Sequence, residues 1–283
     1  TPRADFASTD GHKTVLLVLS VGADADVTAV TGDHMTSAFS PASLGYGPKP
    51  SVAADLSTRK RVPTRNIQIS WLNASGQCDF REVLLPALPE FELAFNAFAR
   101  GTLLATPSGF SAIEDLAPGD LVLTREFGPQ PLTWIGSLTH VPNAPVWRQE
   151  LARLVRFLPD ALGVDRPHSN LLLGPGARLW QSTSEGGVFV PAHRFLDGET
   201  ALEISPTTPV DLFHVMTKRH ATLSAAHLGV ESYHPGLQLR DRMNAANLSY
   251  FLTLFPHLTT LEGFGPVVAP RQAYWNNAAS AAA

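Results

Sequence analysis

"NAFARGTLLATPSGFSAIEDLAPGDLVLT", Asn96–Thr124, is the stretch that decides the fold. A Gly-Thr turn opens it, and "TLLAT" reads as a short strand. "IED" makes an acidic turn, and "PGDLVLT" turns into a second strand. Gly119 supplies backbone freedom that a side chain would restrict, and Thr102, next to Gly101, can hydrogen-bond a nearby backbone group. Short strands punctuated by turns every few residues predict an all-β body here.

The rest of the chain fits that reading. It has 283 residues, 44% hydrophobic and 16% charged, with 23 Pro and 21 Gly. That is apolar material for one large or two modest cores, and long helices should be few. A net charge of −4 gives no electrostatic case for nucleic acid or an anionic membrane. The basic run Ser57–Arg65 reads as a solvated loop. A single cysteine, Cys78, excludes an intramolecular disulfide and a Cys-rich metal site. The N-terminal residues show no apolar signal segment. No run approaches the roughly 18 apolar residues of a membrane helix, so a soluble chain is expected. Export or assembly into a particle stays open.

Upstream, residues 1–95 are expected to form an N-terminal β-rich, sandwich-like domain. "KTVLLVLSVG" reads as a buried strand, and "RNIQISWLN" alternates with Ile67, Ile69 and Trp71 on one side. Asn73-Ala74-Ser75 is formally a glycosylation sequon in a turn. "LPALPEFELAFN" (85–96) reads as a linker because its prolines resist helix continuation. Downstream, residues 96–238 are expected as a second β unit. "LRDRMNAANLSYFLTLFPHL" has helical spacing of Leu239, Met243, Leu248 and Phe251, predicting one terminal helix before Pro256 within a C-terminal segment 239–283.

Several stretches in order carry a family resemblance: "FARGTLLATPSG" with "IEDLAPGDLVLT", then "GPQPLTWIG", "NLLLGPGARL", "VFVPAHRFLDG", "DLFHVMTKRHATL" and "ESYHPG". Together they resemble the Hint family, the hedgehog/intein autoprocessing fold, in a bacterial form found in alphaproteobacteria. The resemblance implies an all-β Hint domain that bends the peptide bond before its first residue. It also implies attack on the preceding carbonyl by a Cys or Ser side chain at that residue.

Set against that family, the chemistry is missing at matching positions. Ala97 stands at the nucleophile position and has only a methyl group. In the second block Gly174 stands for a hydroxyl residue and Ala177 for a His, which would hold and protonate the scissile amide. His220 is kept in the later block, but Lys218 and Ala221 stand where acidic residues are usual, so it is expected to lack a carboxylate partner.

Asn96 is the residue before the expected junction. Cyclisation of its side chain would sit at the wrong end of the domain. His168, His193, His214, His220 and His234 form no tight ligand pair, and no cofactor motif is present, so neither a metal nor another cofactor is expected.

Two readings follow. In the first, the protein is a non-catalytic, degenerate Hint-fold module that binds another protein or an extracellular carbohydrate, for example as a spike or attachment component of a secreted or phage-like particle. In the second, it is an autoprocessing precursor that cleaves between Asn96 and residue 97, held inactive by Ala97 and Ala177. Trp71 and Tyr46 would favour sugar binding if exposed.

Overall fold

The computed structural model describes residues 64–86, 89–144, 152–184, 186–236 and 239–274. All of them fall in one compact unit, Pro63–Ala283. The early strand candidates, Tyr46, nearly all of the basic run and the body of the expected N-terminal sandwich lie outside the described residues, as does the tail from residue 275.

The first described element is a hairpin of β1 (Thr64–Leu72) and β2 (Cys78–Pro86) in unbroken antiparallel register. Its alternation puts Ile67, Ile69 and Trp71 on the buried side, as expected, with Trp71 only 8% exposed. The turn is built by Asn73, whose Oδ1 accepts the backbone N–H groups of Ser75 and Gln77 and the Ser75 hydroxyl. The sequon asparagine is thus committed to turn geometry.

The stretch expected as a linker is buried. Pro89 opens α1 (Pro89–Glu92), a single helical turn, and a proline is tolerated at that first position because its missing N–H has no partner there anyway. Phe91, Ala94 and Phe95 are fully buried. Their i, i+3, i+4 spacing is that of a core-facing helical turn, which the prolines masked.

From Phe98 onward come short strands: β3 (Phe98–Ala99), β4 (Leu103–Thr106), β5 (Gly109–Ala112), β6 (Leu121–Thr124) and the long β7 (Gly128–His140). They are followed by β8 (Leu154–Phe157), β9 (Leu171–Leu173), β10 (Arg178–Thr183), β11 (Gly186–Pro191), β12 (Ala201–Ile204), β13 (Val210–Thr217), β14 (Thr222–Ala225) and β15 (Leu228–Glu231). The hydrogen-bonded order is β11-β10-β15-β14-β6-β7-β13-β3-β9-β8-β12, with β1 also on β7. The body is all-β, with two short helices near its C-terminus.

Strand β7 joins the two halves. Its first residues pair with β6, from Gly128 opposite Thr124 to Pro131 opposite Leu121. Its later residues pair with β13 on one side and β1 on the other. The register against β13 shifts between Met216 and Thr217, where the strand passes from one sheet to the other. The hairpin of residues 64–86 therefore extends the sheet of the body through β1 and β7. Phe98, Leu104, Ile113, Val122, Leu132, Phe157, Leu173, Leu179, Val215, Leu223 and Val230 fill one apolar core between the sheets.

The terminal segment is two helices, not one. After α2 (Leu239–Arg242) the chain breaks at Asn244, whose side chain accepts the Asn247 N–H at 2.8 Å and starts α3 (Ala245–Leu252). An Asn with this local bond offers the backbone an alternative to continuing the helix. The apolar spacing was real, but the cap divides it.

These helices dock through aromatic rings. The Trp134 ring lies 4.7 Å from Phe255, 5.6 Å from Phe95 and 5.6 Å from Tyr233, and its Nε1–H donates to the Leu254 carbonyl at 2.7 Å. The Tyr250 hydroxyl reaches back to the Leu84 carbonyl. No helix among the described residues is long and apolar enough to cross a membrane.

Phe255 is fully buried and touches Trp134, Tyr233, Phe251 and Phe264. Replacing it with alanine should lower unfolding free energy by about 3–5 kcal/mol. Urea unfolding followed by tryptophan fluorescence measures this; a loss below about 1 kcal/mol would show that the C-terminal segment does not stabilise the body.

Candidate functional site

The expected junction lies inside a sheet. The Ala97 N–H donates to the Phe213 carbonyl at 2.9 Å, and the Ala97 carbonyl accepts the Gly174 N–H at 2.8 Å. Phe98 is paired with Phe213 of β13 on one side and Leu173 of β9 on the other. One residue earlier, the Asn96 carbonyl accepts the Gly176 N–H at 3.0 Å. Asn96 is 3% exposed and Ala97 fully buried.

The structure thus brings Asn96, Ala97 and Gly174 into direct contact, with Ala177 closing the same turn. The Ala177 N–H bonds the Gly174 carbonyl at 3.1 Å, and Ala177 is fully buried.

This approach is too close for side chains. A Cβ on Gly174 would stand 2.0 Å from the Asn96 carbonyl oxygen, well inside contact distance. A Cβ on Gly176 would meet the Asn96 Oδ1 and the Leu93 carbonyl, both at 2.6 Å. The space that a hydroxyl side chain at 174 would need is filled by the junction backbone itself. The Asn96 Oδ1 is buried with no hydrogen-bond partner among the described residues.

Thr102 has a local structural role. Its hydroxyl and its N–H both bond the Ala99 carbonyl, at 2.7 and 3.0 Å, and close the turn at Gly101, whose φ is 83°. The Gly101 N–H is held by the Glu114 carboxylate at 2.8 Å. The acidic turn is therefore tied to the start of the domain.

His220 is not without a carboxylate, contrary to the sequence expectation. The Val268 N–H donates to its Nδ1 at 3.1 Å, so the ring proton sits on Nε2 and donates to Glu231 Oε1 at 2.9 Å. The partner comes from β15, eleven residues downstream, not from the adjacent positions. The same Glu231 oxygen also accepts from Arg271 Nε, and Arg178 stands 3.8 Å from the other oxygen. Burial alone would raise the Glu231 carboxyl, but Arg271, the His220 bond and Arg178 outweigh it and hold it well below the ordinary carboxylate range. Arg271 Nη2 also binds the His234 carbonyl at 2.7 Å.

The remaining histidines are dispersed. His234 accepts the Gly236 N–H and donates to the Gly265 carbonyl. His214 lies between the rings of Phe98 and Tyr233. His193 stacks near Tyr274, and His168 near His227. Among the described residues no group of three or more His, Cys, Asp or Glu is placed to hold a metal ion.

Two concavities flank the junction region. A cavity of about 60 Å³ is lined by Gly176, Arg178, His214, Tyr233, His234 and Arg271, among others. A wider groove of about 920 Å³ runs over β1, β7 and β13 and includes Arg100, Glu114, Thr139 and Asp211. Arg100 bonds Asp211 at 3.0 Å there, so the groove's charges are largely matched.

Sequence reasoning missed Glu231, Arg178, Arg271 and the tight contact at Gly176. "ESYHPG" was visible as a motif, but nothing local ties it to Arg271, forty residues further on.

The model of the Hint domain matches residues 96–237, half of this chain, and the chain belongs to that family. Solved structures similar to it include the bacterial intein-like domain from Clostridium thermocellum, at 14% identity and a TM-score of 0.36, covering 49% of this chain and 99% of that one. The TvoVMA intein is similar at 11% identity and a TM-score of 0.35, covering 48% and 96%. The MchDnaB-1 intein is similar at 15% identity and 0.34, covering 48% and 100%. No curated protein matches the chain.

Two measurements test the polar centre. Glu231→Gln leaves Arg271 and Arg178 without their carboxylate and should cost about 3–5 kcal/mol in urea unfolding; a loss under about 1 kcal/mol would mean that the arginines are satisfied elsewhere. Among the described residues burial also lowers four imidazoles below their usual 6.5: His140, His214 to about 3, His234 to about 4 with help from Arg271, and His257 to about 4. The unfolded chain takes up these protons from about pH 6.5 downward while the fold does not. Stability should be full above that pH and fall steadily as pH drops through about 4. Urea midpoints that stay flat between pH 7 and 5 would contradict the buried, neutral assignment of these rings.

Proposed function

We propose that this chain is a degenerate, non-catalytic member of the Hint family, of the bacterial alphaproteobacterial form, whose body serves as a structural or binding module. The observation that carries this is the closure at Gly174. The junction carbonyl occupies the place where a side chain at that position would have to begin, and Ala97 offers no nucleophile. A hydroxyl cannot be restored at 174 without moving the backbone. Both ring nitrogens of His220 are taken, by the Val268 N–H and the Glu231 carboxylate. These features are mutually adapted, which favours natural decay of the site over isolated loss of one or two side chains.

The partner class we favour is another protein. Trp71 is buried, so it offers no sugar-stacking surface. On β2, Phe80 and Leu84 lie on one face at 61% and 49% exposure, a pattern suited to a protein contact. A component of a secreted or phage-like particle fits such a surface, with extracellular carbohydrate as the other partner class.

A second reading has one observation in its favour. The Gly176 N–H points at the Asn96 carbonyl, where a developing oxyanion would form in an autoprocessing precursor. Intact-mass spectrometry separates the two, with and without dithiothreitol, on the unmodified chain, an Ala97→Cys, Ala177→His variant and the same variant with Gly174→Ser. The non-catalytic reading expects full-length mass for all three, with the Gly174→Ser protein less stable by about 1–3 kcal/mol. Cleavage before residue 97 in either variant alone would establish retained processing geometry and support the precursor. Cleavage of the unmodified chain would overturn both the proposal and the account of Ala97.

A further inference from the structure

Three donors of different kinds line the small cavity beside the junction. Arg178 comes from the start of β10, His214 from β13, and Tyr233 follows β15. Each has donor capacity that no acceptor among the described residues takes up. Arg178 Nε is buried with no hydrogen-bond partner among the described residues. Its nearest carboxylate oxygen, Glu231 Oε2, is 3.8 Å away, beyond hydrogen-bond reach, while Oε1 is already taken by Arg271 and His220. The Tyr233 hydroxyl has no hydrogen-bond partner among the described residues, although its ring is packed against Trp134, His214 and Phe255. His214 Nδ1 accepts the Val215 N–H at 3.2 Å, which leaves its proton on Nε2, again with no acceptor among the described residues.

A buried guanidinium N–H without an acceptor is costly, because it has given up water and gained no bond in return. The charged side chains that line the cavity are Arg178, Arg242, Arg271 and Glu90, and Arg271 is already bonded to Glu231 behind the wall. Water could fill the space, but it brings as many donors as acceptors and no charge. The cavity's 60 Å³ corresponds to roughly four to six water-sized positions. That is the size of a group with four or five heavy atoms. A buried guanidinium N–H without an acceptor, beside two further donors, rules against a metal ion and favours acceptor oxygens carrying negative charge.

We infer that this cavity is a binding site for one small oxyanion, a carboxylate or phosphate group, gripped by the Arg178 guanidinium and completed by the Tyr233 hydroxyl and the His214 imidazole. The planar guanidinium fork suits either anion, since both present two oxygens side by side. Glu231 and Arg271 form the fixed wall that keeps Arg178 in place. The site does not depend on whether the junction is ever processed, because none of its three donors belongs to residues 96, 97, 174 or 177.

Isothermal titration of the full chain near neutral pH, with sodium phosphate and with sodium acetate against sodium chloride at equal ionic strength, tests this. Saturable one-to-one binding of either oxyanion, absent with chloride, is the expected result. Tyr233→Phe keeps the ring packing and removes only the hydroxyl, so it should weaken binding about tenfold while leaving the circular dichroism spectrum unchanged. Arg178→Lys keeps the charge but loses the fork and should weaken binding further. If Arg178→Lys does not fold, the Tyr233→Phe titration decides alone. Absence of saturable binding with both anions, an equal response to chloride, or wild-type affinity in Tyr233→Phe each overturns the inference.

Discussion

Residues 97–99 are hydrogen-bonded along both edges, to β13 on one side and to β9 and the turn after it on the other. Within this stretch, β3 is the only link in the described sheet order between the β7–β13 half and the β9-β8-β12 arm. Everything beyond β9 depends on it for its place in the sheet. The same pairing fixes the amide before Ala97 in ordinary ladder geometry, with its N–H and the flanking carbonyls all occupied. A peptide bond that must be attacked needs an accessible carbonyl and a leaving nitrogen that can take a proton. Here the Asn96 carbonyl accepts from Gly176 and the Ala97 N–H donates to Phe213.

The second organising feature is Glu231. One buried carboxylate gathers His220 from the loop before β14, Arg178 from β10 and Arg271 from the far C-terminal stretch. Removing a charge of this kind from water is expensive unless it is surrounded by donors, and each donor then becomes fixed in position. Arg271 and Val268 lie beyond residue 237, where the match to the Hint domain ends. The C-terminal stretch therefore completes the polar centre of the body as well as covering its aromatic face.

Much of the architecture was legible in short patterns. The alternation of Ile67, Ile69 and Trp71, the glycine turns around "PGDLVLT" and the order of motif stretches all act locally, so the sequence displays them directly. The segment 85–96 was harder because its two prolines suggest a loop, yet Pro89 starts a helical turn and the apolar residues behind it are core. The terminal helix was divided by Asn244, whose capping bond is a local rule that periodicity outweighed. At the site, Ala97 and Ala177 are readable residue by residue as positions with neither a nucleophile nor an imidazole. Gly174 is different: it reads as a missing hydroxyl, but its physical role is to let another backbone approach, which only the fold displays. The partner of His220 lay outside its neighbourhood, and long-range ion pairs leave no spacing signal.

The clamped strand also bears on what a break in the chain would do. Residues 64–96 contribute β1 to the flank of β7, place Phe91 and Phe95 in the aromatic core, and offer the Leu84 carbonyl to Tyr250. Residues from 97 onward keep the sheet and the polar centre. If the chain were severed between Asn96 and Ala97, each piece would still hold a large apolar face complementary to the other. The molecule is in effect two interlocking fragments with one covalent tie, and its cohesion at that point comes from packing more than from the peptide bond.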